Sequence, residues 1–392
     1  MPALFDHVSF IQTARENNYQ VITCDNNPNN IGHKYADQSV NINLLDFEEL
    51  ANYVERGKVD AVAAFSTDIG AVAAAFVADN LNLVGNPVKA VKMMANKKEF
   101  RLFLYEHGFN SPFFQAVASA NELSLDDFRF PIIIKPTDRA GSKGVFILKN
   151  KCEIQEKIAI SLDFSLEHKV IVEEFIVSEM TQIHGDAMVQ NGKLLFCCLG
   201  DQYFGDGLLR FSPIGTLFPS SLPEHLLEKV KNELQRFIDV SSYRNGGINI
   251  ELKIDQYENV YFIELAPRFG GNYIPMAIEC LCNLNVVKYA FDIAVGRQVS
   301  IPSYRMDKNV FQFILRSYKE GVFKSVEVRP NRFFRILQSY PIKQVGDTVD
   351  LKDVSSSIIS VFILQAEHRD VFYEVMNCTN KYFCVTMVSN RE

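Results

Sequence analysis

The sequence predicts a multidomain chain of mixed α/β and α+β class, and three observations predict it. Over residues 1–86, short apolar runs (YQVITCD, VDAVAAF, NLVG) alternate with helical periodicities, the pattern of βαβ units and a parallel sheet. From residue 130 the period switches to that of strands, in FPIIIKP, GVFILKN, VIVEEFI and DAMVQNGKLLFCCLG. The stretch INIELKIDQYENVYFIELAPRFGG at 248–271 then reads as a hairpin followed by a glycine-rich turn. With 392 residues, 47% of them hydrophobic, the chain is long enough for two or three domains with large cores.

Taken in order, residues 7–18 have apolar positions at helical spacing, and 19–25 form a short strand ending in Asp25. FEELANYVERG (47–57) is an amphipathic helix with a glycine stop. VDAVAAF (59–65) reads as a buried strand, 69–79 as an alanine-rich helix and NLVG (82–85) as a third strand. A βαβ unit ordinarily opens with a strand, yet residues 1–6 are too few and contain Pro2, so the natural start is expected upstream of Met1. Residues 86–125 read as helical, with KKEFRLFLYEHG (97–108) the clearest helix. Asn191-Gly192 marks a tight hairpin turn. Helices are expected at 223–239 and 274–290, and a mixed region comes after, from about residue 296.

Composition excludes several function classes. The formal net charge of −7 argues against a nucleic-acid partner held by bulk electrostatics. The eight cysteines include no CxxC pair and no Cys/His cluster at zinc spacing, so they read as reduced thiols of a cytoplasmic protein. The N-terminus has neither the basic nor the apolar segment of a signal peptide. The longest apolar stretch, AVAAAFVA at 71–78, is far short of the roughly 20 residues of a membrane span.

The chemistry concentrates in the hairpin. Closing its loop between Asp255 and Val260 puts Glu251 directly opposite Glu264, on one face, with Cβ atoms about 5 Å apart. Asn249 shares that face by parity. Like charges opposed in this way are destabilising unless something positive lies between them. A divalent cation answers that need, and Mg²⁺ keeps room for phosphate oxygens. A solvated polar face is the alternative reading of the hairpin alone. ELAPRFGG then places Arg268 four residues beyond Glu264, followed by Gly270 and Gly271. An arginine suits phosphate oxygens, and glycines let backbone amides approach an anion.

A second group of signals precedes it. Lys135 ends the apolar strand PIIIKP. A loop with Gly141, Ser142, Lys143 and Gly144 comes next, and then another strand. Strand–glycine loop–strand can fold amides over a polyphosphate, or be a solvated turn. VIVEEFI ends in Glu173, Glu174, Phe175 and Ile176, either a polar strand end or a segment that presents backbone to an adenine edge.

These segments, in this order, resemble the ATP-grasp superfamily, in particular its carboxylate–amine ligases and carbamoyl-phosphate-synthase-like proteins. The likeness covers roughly residues 19–295. It implies a pre-ATP-grasp α/β domain at 1–86, apparently without its first strand, and an ATP-grasp domain at 87–295. In the latter, two subdomains clasp ATP, the smaller a nucleotide lid at about 112–176. A small C-terminal α+β region would occupy 296–392. NKKEFR (96–101) is similar to the family's NKxxxR helix start, which implies that Lys97 lies near the ATP phosphates. Lys135 matches the lysine that contacts the α- and β-phosphates, and Gly141 to Gly144 the triphosphate loop. Glu173, Glu174, Phe175 and Ile176 match the adenine hinge, with Glu173 and the backbone near Ile176 on the base. Glu251 and Glu264 match the Mg²⁺-bridging glutamates, with Mn²⁺ as an alternative ion. Arg268, Gly270 and Gly271 match positions facing the γ-phosphate and the acceptor carboxylate. The chain departs from the family at Ala266, where many members carry a metal-binding Asn, and at Glu179, which is one residue out of step with the ribose-binding glutamate.

The implied activity is an ATP-dependent carboxylate–amine ligase working through an acyl phosphate and releasing ADP and phosphate. Arg268 and Lys135 would be its catalytic groups, and small-molecule carboxylates and amines its substrates. Candidates for the acceptor pocket are Arg210, His33 with Lys34, and His184. A homodimer is common in the family. A carboxylase-like or carbamoyl-phosphate-forming enzyme using bicarbonate, and a non-catalytic ATP-binding module, stay open as alternatives.

Overall fold

The computed structural model describes residues 1–139, 143–207, 210–351 and 353–388. Its N-terminal part holds α1 (Val8–Glu16), the parallel pair β1 (Ile22–Cys24) and β2 (Gln38–Val40), α2 (Phe47–Gly57) and α3 (Asp68–Leu81). α2 starts where the Asp46 side chain accepts from the Glu49 amide, and it buries Leu50, Ala51 and Val54. A capped N-terminus and one apolar face are what a helix needs to dock on a sheet.

That sheet stops at two strands. Residues 59–65 and 82–85, expected as strands, join no ladder among the described residues. The run at 59–65 is apolar enough for a strand, but a strand also needs a neighbouring backbone. Between it and β1 lie only the first few residues. The Met1 carbonyl accepts from the Cys24 amide at 2.7 Å and the Ala3 carbonyl from the Gly32 amide at 2.8 Å, while Pro2 has no N–H to give. A cavity of about 120 Å³ lined by Met1, Pro2, Ile22, Val62 and Ala63 marks the gap.

α4 (Val88–Ala95) and α5 (Lys97–Glu106) come next. The Asn96 side chain caps α5 by accepting from the Lys98 and Glu99 amides. The chain then builds β3 (Phe114–Val117), β4 (Ile132–Pro136), β5 (Phe146–Leu148), α6 (Ile154–Phe164) and β6 (Val170–Glu174). These strands form an antiparallel sheet in the order β3-β6-β4-β5. β3 and α6 were not expected, since β3 falls in a stretch that reads as helical. Ile154 and Ile158 of α6 pack on Ile132, Ile134, Val170 and Val172 to give this lid a core of its own.

The rest comprises β7 (Gln182–Gln190), β8 (Lys193–Phe204), β9 (Pro213–Phe218), α7 (Glu224–Ser241), β10 (Gly246–Ile254), β11 (Val260–Ala266), α8 (Ile274–Cys282) and α9 (Val286–Ala294). β12 (Asn309–Arg316), β13 (Gly321–Val328), β14 (Phe334–Pro341), β15 (Thr348–Val349), β16 (Ile358–Ala366), α10 (Asp370–Asn377), α11 (Thr379–Tyr382) and β17 (Phe383–Val388) complete it. β7 turns into β8 at Asn191 and Gly192, both at positive φ as a two-residue hairpin demands. The helix expected at 274–290 is two helices. Asn283 adopts a left-handed conformation (φ 52°) that ends α8, and Asn285 caps α9.

One sheet of eight strands runs β11-β10-β7-β8-β9-β12-β16-β14. Three of its strands, β12, β14 and β16, come from beyond residue 296, so the expected boundary there is not a break in the sheet. α7 packs on one face, where Leu226, Val230, Leu234 and Phe237 meet Ile248, Ile250, Leu252 and Phe262. α1, α8 and α9 cover part of the other face through Phe10, Ile278, Leu281 and Phe291. The uncovered part of that second face carries the polar residues of β7 and β10. Among the described residues, no helix is long and apolar enough to cross a membrane.

Candidate active site

β10 has to present alternate residues to the core, and Ile248, Ile250, Leu252 and Ile254 go there. Parity sends Asn249, Glu251 and Lys253 to the opposite face. In the ladder with β11, Glu251 pairs with Glu264 as the sequence predicts. The route to that pairing is different. Near the turn the partners are Ile254 with Val260, Lys253 with Tyr261 and Leu252 with Phe262, one residue out of the expected register. A β-bulge between Glu251 and Leu252 inserts Ile263 and restores the register at the glutamates.

The two carboxylates are half-buried. Burial, and then the charge of Glu264, push the Glu251 carboxyl up to about 7, and the partial countercharge of Arg268, Lys135 and Lys97 does not offset this. Gln182 Nε2 donates to Glu251 Oε2 at 3.2 Å. Among the described residues no third His, Cys, Asp or Glu completes a protein-only metal site. The donor set fits Mg²⁺ bound by two carboxylates together with phosphate oxygens and water, the way this ion is usually held beside a nucleotide. It does not suit a structural zinc site.

Arg268 lies beside this pair. Its Nε donates to Asp68 Oδ1 at 2.8 Å and its Nη1 to Asn249 Oδ1 at 3.1 Å. Asp68 opens α3, so the N-terminal part of the chain aims the arginine. Asn249 also donates through Nδ2 to Asp186 Oδ1 (2.9 Å) and lies 3.0 Å from His184 Nε2. His184 is buried, and burial followed by Arg268 hold it down at about 4, so it is neutral at pH 7. The Gly270 amide donates to Asp186 Oδ1 at 2.8 Å. A Cβ at Gly270 would come within 2.8 Å of the Ile274 Cβ and 2.9 Å of Asn249 Nδ2, so only glycine fits there. Burial pushes Asp186 up to about 7, and among the described residues its Oδ2 has no hydrogen-bond partner.

The four-stranded sheet and α5 supply the other charges. Lys135 of β4 is 8% exposed, and its Nζ donates to Glu173 Oε2 at 2.7 Å. Glu173 Oε1 accepts from Arg101 Nε at 2.7 Å. Burial works to raise the Glu173 carboxyl, but Arg101 and Lys135 outweigh it and hold it at about 2. Both Glu173 oxygens are thus engaged by cations of the protein. Glu174 Oε1 accepts from the Arg129 amide at 2.9 Å, and the Phe175 amide donates to the Pro131 carbonyl at 2.9 Å. Lys253 Nζ donates to the Ile176 carbonyl at 3.1 Å and lies 4.2 Å from the centre of the Phe175 ring.

Lys97 Nζ reaches the Arg139 carbonyl at 2.6 Å, at the entrance to the glycine loop. Gly141 and Ser142 lie outside the described residues. Gly144 has φ +70°, and a Cβ there would meet the Phe164 ring at 2.9 Å. Lys143 is exposed and pairs with Asp353 at 3.5 Å. Glu179 and Arg210 are exposed, and Arg210 stacks 4.7 Å from the Phe211 ring. His33 is held in its own loop, Nδ1 lying 2.9 Å from Thr23 Oγ1 and Nε2 3.2 Å from the Asn27 carbonyl.

The structure therefore brings together Glu251, Glu264, Arg268 and Gly270 in one cluster and Lys135, Glu173 and Lys97 in its neighbour. It leaves His33, Glu179 and Arg210 in other settings. Sequence reasoning missed Asp68 and Asp186, and it named Arg101 only as the end of the NKKEFR segment, without a role. Arg101 carried a signal, as an arginine on the apolar side of an amphipathic helix. Asp68 and Asp186 carried none.

Comparison with known proteins shows what the chain is similar to. The family described as ATP-grasp domain matches residues 128–276. The carbamoyl phosphate synthase large chain of Pseudothermotoga lettingae is 23% identical over 305 residues, 76% of this chain and 27% of that one. The chain thus spans about a quarter of the length of that curated relative. Phosphoribosylglycinamide synthetase from Anaerococcus prevotii superposes with a TM-score of 0.78 at 21% identity, covering 99% of this chain and 98% of that chain. L-amino acid ligase from Bacillus licheniformis superposes with a TM-score of 0.83 at 16% identity, with the same 99% and 98% coverage. At these identities the two structures establish the fold over its full length.

Proposed function

We propose that the chain is a member of the ATP-grasp superfamily, an enzyme family of ADP-forming ligases that bind ATP with Mg²⁺, and that it is a carboxylate–amine ligase forming an amide or peptide bond. The observation that carries this reading is the opposed Glu251–Glu264 pair with Arg268 fixed beside it. A protein that only bound nucleotide would have no use for a like-charge pair and an aimed guanidinium.

The substrate carboxylate attacks the γ-phosphorus of ATP, giving an acyl phosphate and ADP. The amine then attacks the acyl carbon, and phosphate leaves. Glu251 and Glu264 would hold Mg²⁺, which neutralises phosphate charge when bound. Lys135 and Lys97 orient the phosphates. Arg268, held by Asp68 and Asn249, stabilises charge on the transferred group and positions the carboxylate. Neutral His184 and Asp186, its carboxyl raised by burial, lie beside Asn249 at the back of this cluster. Gly270 is packed against Ile274 and Asn249, so Gly271 is the small group that would leave room for the acceptor.

The test is phosphate release from Mg-ATP with pooled carboxylates, with and without pooled amines. Release that needs both pools supports the ligase. Release with bicarbonate alone replaces it with a carboxylase-like enzyme, and no release with any pool rejects it.

A further inference from the structure

Arg101 is 2% exposed and directs its donors to three protein acceptors. Nη1 donates to the Phe262 carbonyl at 3.0 Å and Nη2 to the Ile263 carbonyl at 2.9 Å. Nε donates to Glu173 Oε1 at 2.7 Å, and Glu173 Oε2 takes Lys135 Nζ at 2.7 Å. The two carbonyls belong to the bulge. Leu252 pairs with Phe262 and Glu251 with Glu264, so Ile263 is the inserted residue. A bulge breaks the alternation of a strand and re-aims the side chains beyond it. Without the insertion Glu251 would oppose Ile263, and Glu264 would turn to the α7 face, because a slip of one residue exchanges the faces of a strand.

We propose that Arg101 is a positioning residue that holds this bulge, and so keeps Glu264 on the same face as Glu251, while through Glu173 it fixes Lys135 relative to both. The planar fork explains why an arginine stands here. It satisfies two neighbouring carbonyls and a carboxylate at fixed angles, which the point charge of a lysine does not. The proposal rests on the reading of Glu251 and Glu264 as metal ligands.

Mn²⁺ binding in the presence of a non-hydrolysable ATP analogue, followed by electron paramagnetic resonance, tests it. Arg101→Lys keeps the charge beside Glu173 and loses the fork. In the folded variant the Mn²⁺ dissociation constant should rise roughly 10- to 100-fold, as it does when a group supporting metal ligands is removed. Affinity for the analogue in EDTA should stay at the wild-type value. An unchanged Mn²⁺ constant overturns the proposal. Should Arg101→Lys fail to fold, the double variant Arg101→Gln/Glu173→Gln removes the buried Arg101–Glu173 ion pair as a unit, and it must show the same loss of Mn²⁺. Wild-type Mn²⁺ affinity in the double variant overturns the proposal as well. Absence of Mn²⁺ binding in the wild type overturns instead the metal reading on which it stands, which separates the two failures.

Discussion

The Lys135–Glu173–Arg101 cluster and the Glu251–Glu264 pair are neighbours built on opposite logic. In the first, one carboxylate meets two cations, both Glu173 oxygens are bound at 2.7 Å, and its carboxyl is held at about 2. In the second, like faces like, and burial with the neighbouring charge pushes Glu251 up to about 7. In the first cluster every charge meets an opposite one as folded. In the second, opposite charge is met only when something positive enters. The contrast separates groups that hold the site from groups that await its contents.

The contrast can be broken most directly at Glu264. Glu264→Ala should cut ATP turnover by at least about 10³-fold without lowering the thermal midpoint, since it removes a repulsion. Retained turnover in a phosphate-release assay would erase the distinction between the clusters. Glu173→Gln should do the reverse of the thermal result. It leaves Arg101 and Lys135 without their buried counter-charge and should cost about 3–5 kcal/mol in urea unfolding. A loss below about 1 kcal/mol would mean that the balanced cluster is not structural. Arg268→Ala should lower kcat about 100-fold with little change in nucleotide affinity by calorimetry, and the opposite split would move the arginine out of the transferred-phosphoryl site.

A gentler probe is pH. The Glu251 carboxyl lies near 7 in the folded protein against 4.5 when free, so the native state keeps a proton that the unfolded chain has lost. Metal-free stability should therefore be fully supported by this group below pH 4.5 and should decline as pH rises through 7. In Glu251→Gln, urea midpoints at pH 5 and pH 8 should draw together, and an unaltered difference would assign the slope to other groups. The smallest effect is expected at the exposed Lys143–Asp353 pair, where Asp353→Ala should change stability by no more than about 0.5 kcal/mol.

What the sequence disclosed depended on distance along the chain. α2 falls at Phe47–Gly57 as read, because its cap at Asp46 and its apolar face are local. The facing glutamates were legible because hairpin partners are close in sequence. The bulge that brings them together was not, since a turn one residue longer and a bulge give the same pairing at residue 251. Residues 59–65 look like a strand by every local measure and join no sheet, because pairing belongs to a neighbour that the run itself does not encode. Arg101 and Glu173 are 72 positions apart, and Asp68 and Arg268 are 200 apart. No spacing rule reaches across such gaps, so the ion pairs that aim the site emerge only with the fold.

The eight-stranded sheet crosses residue 296 without interruption, from β9 to β12 through four paired positions. Backbone ladders transmit unfolding as well as structure. The last quarter of the chain should therefore melt in one cooperative step with the hairpin that carries the glutamates, and its amides should exchange with solvent on the same slow clock. A change in that distant quarter would then be felt as a change in how long the face that carries the glutamates persists.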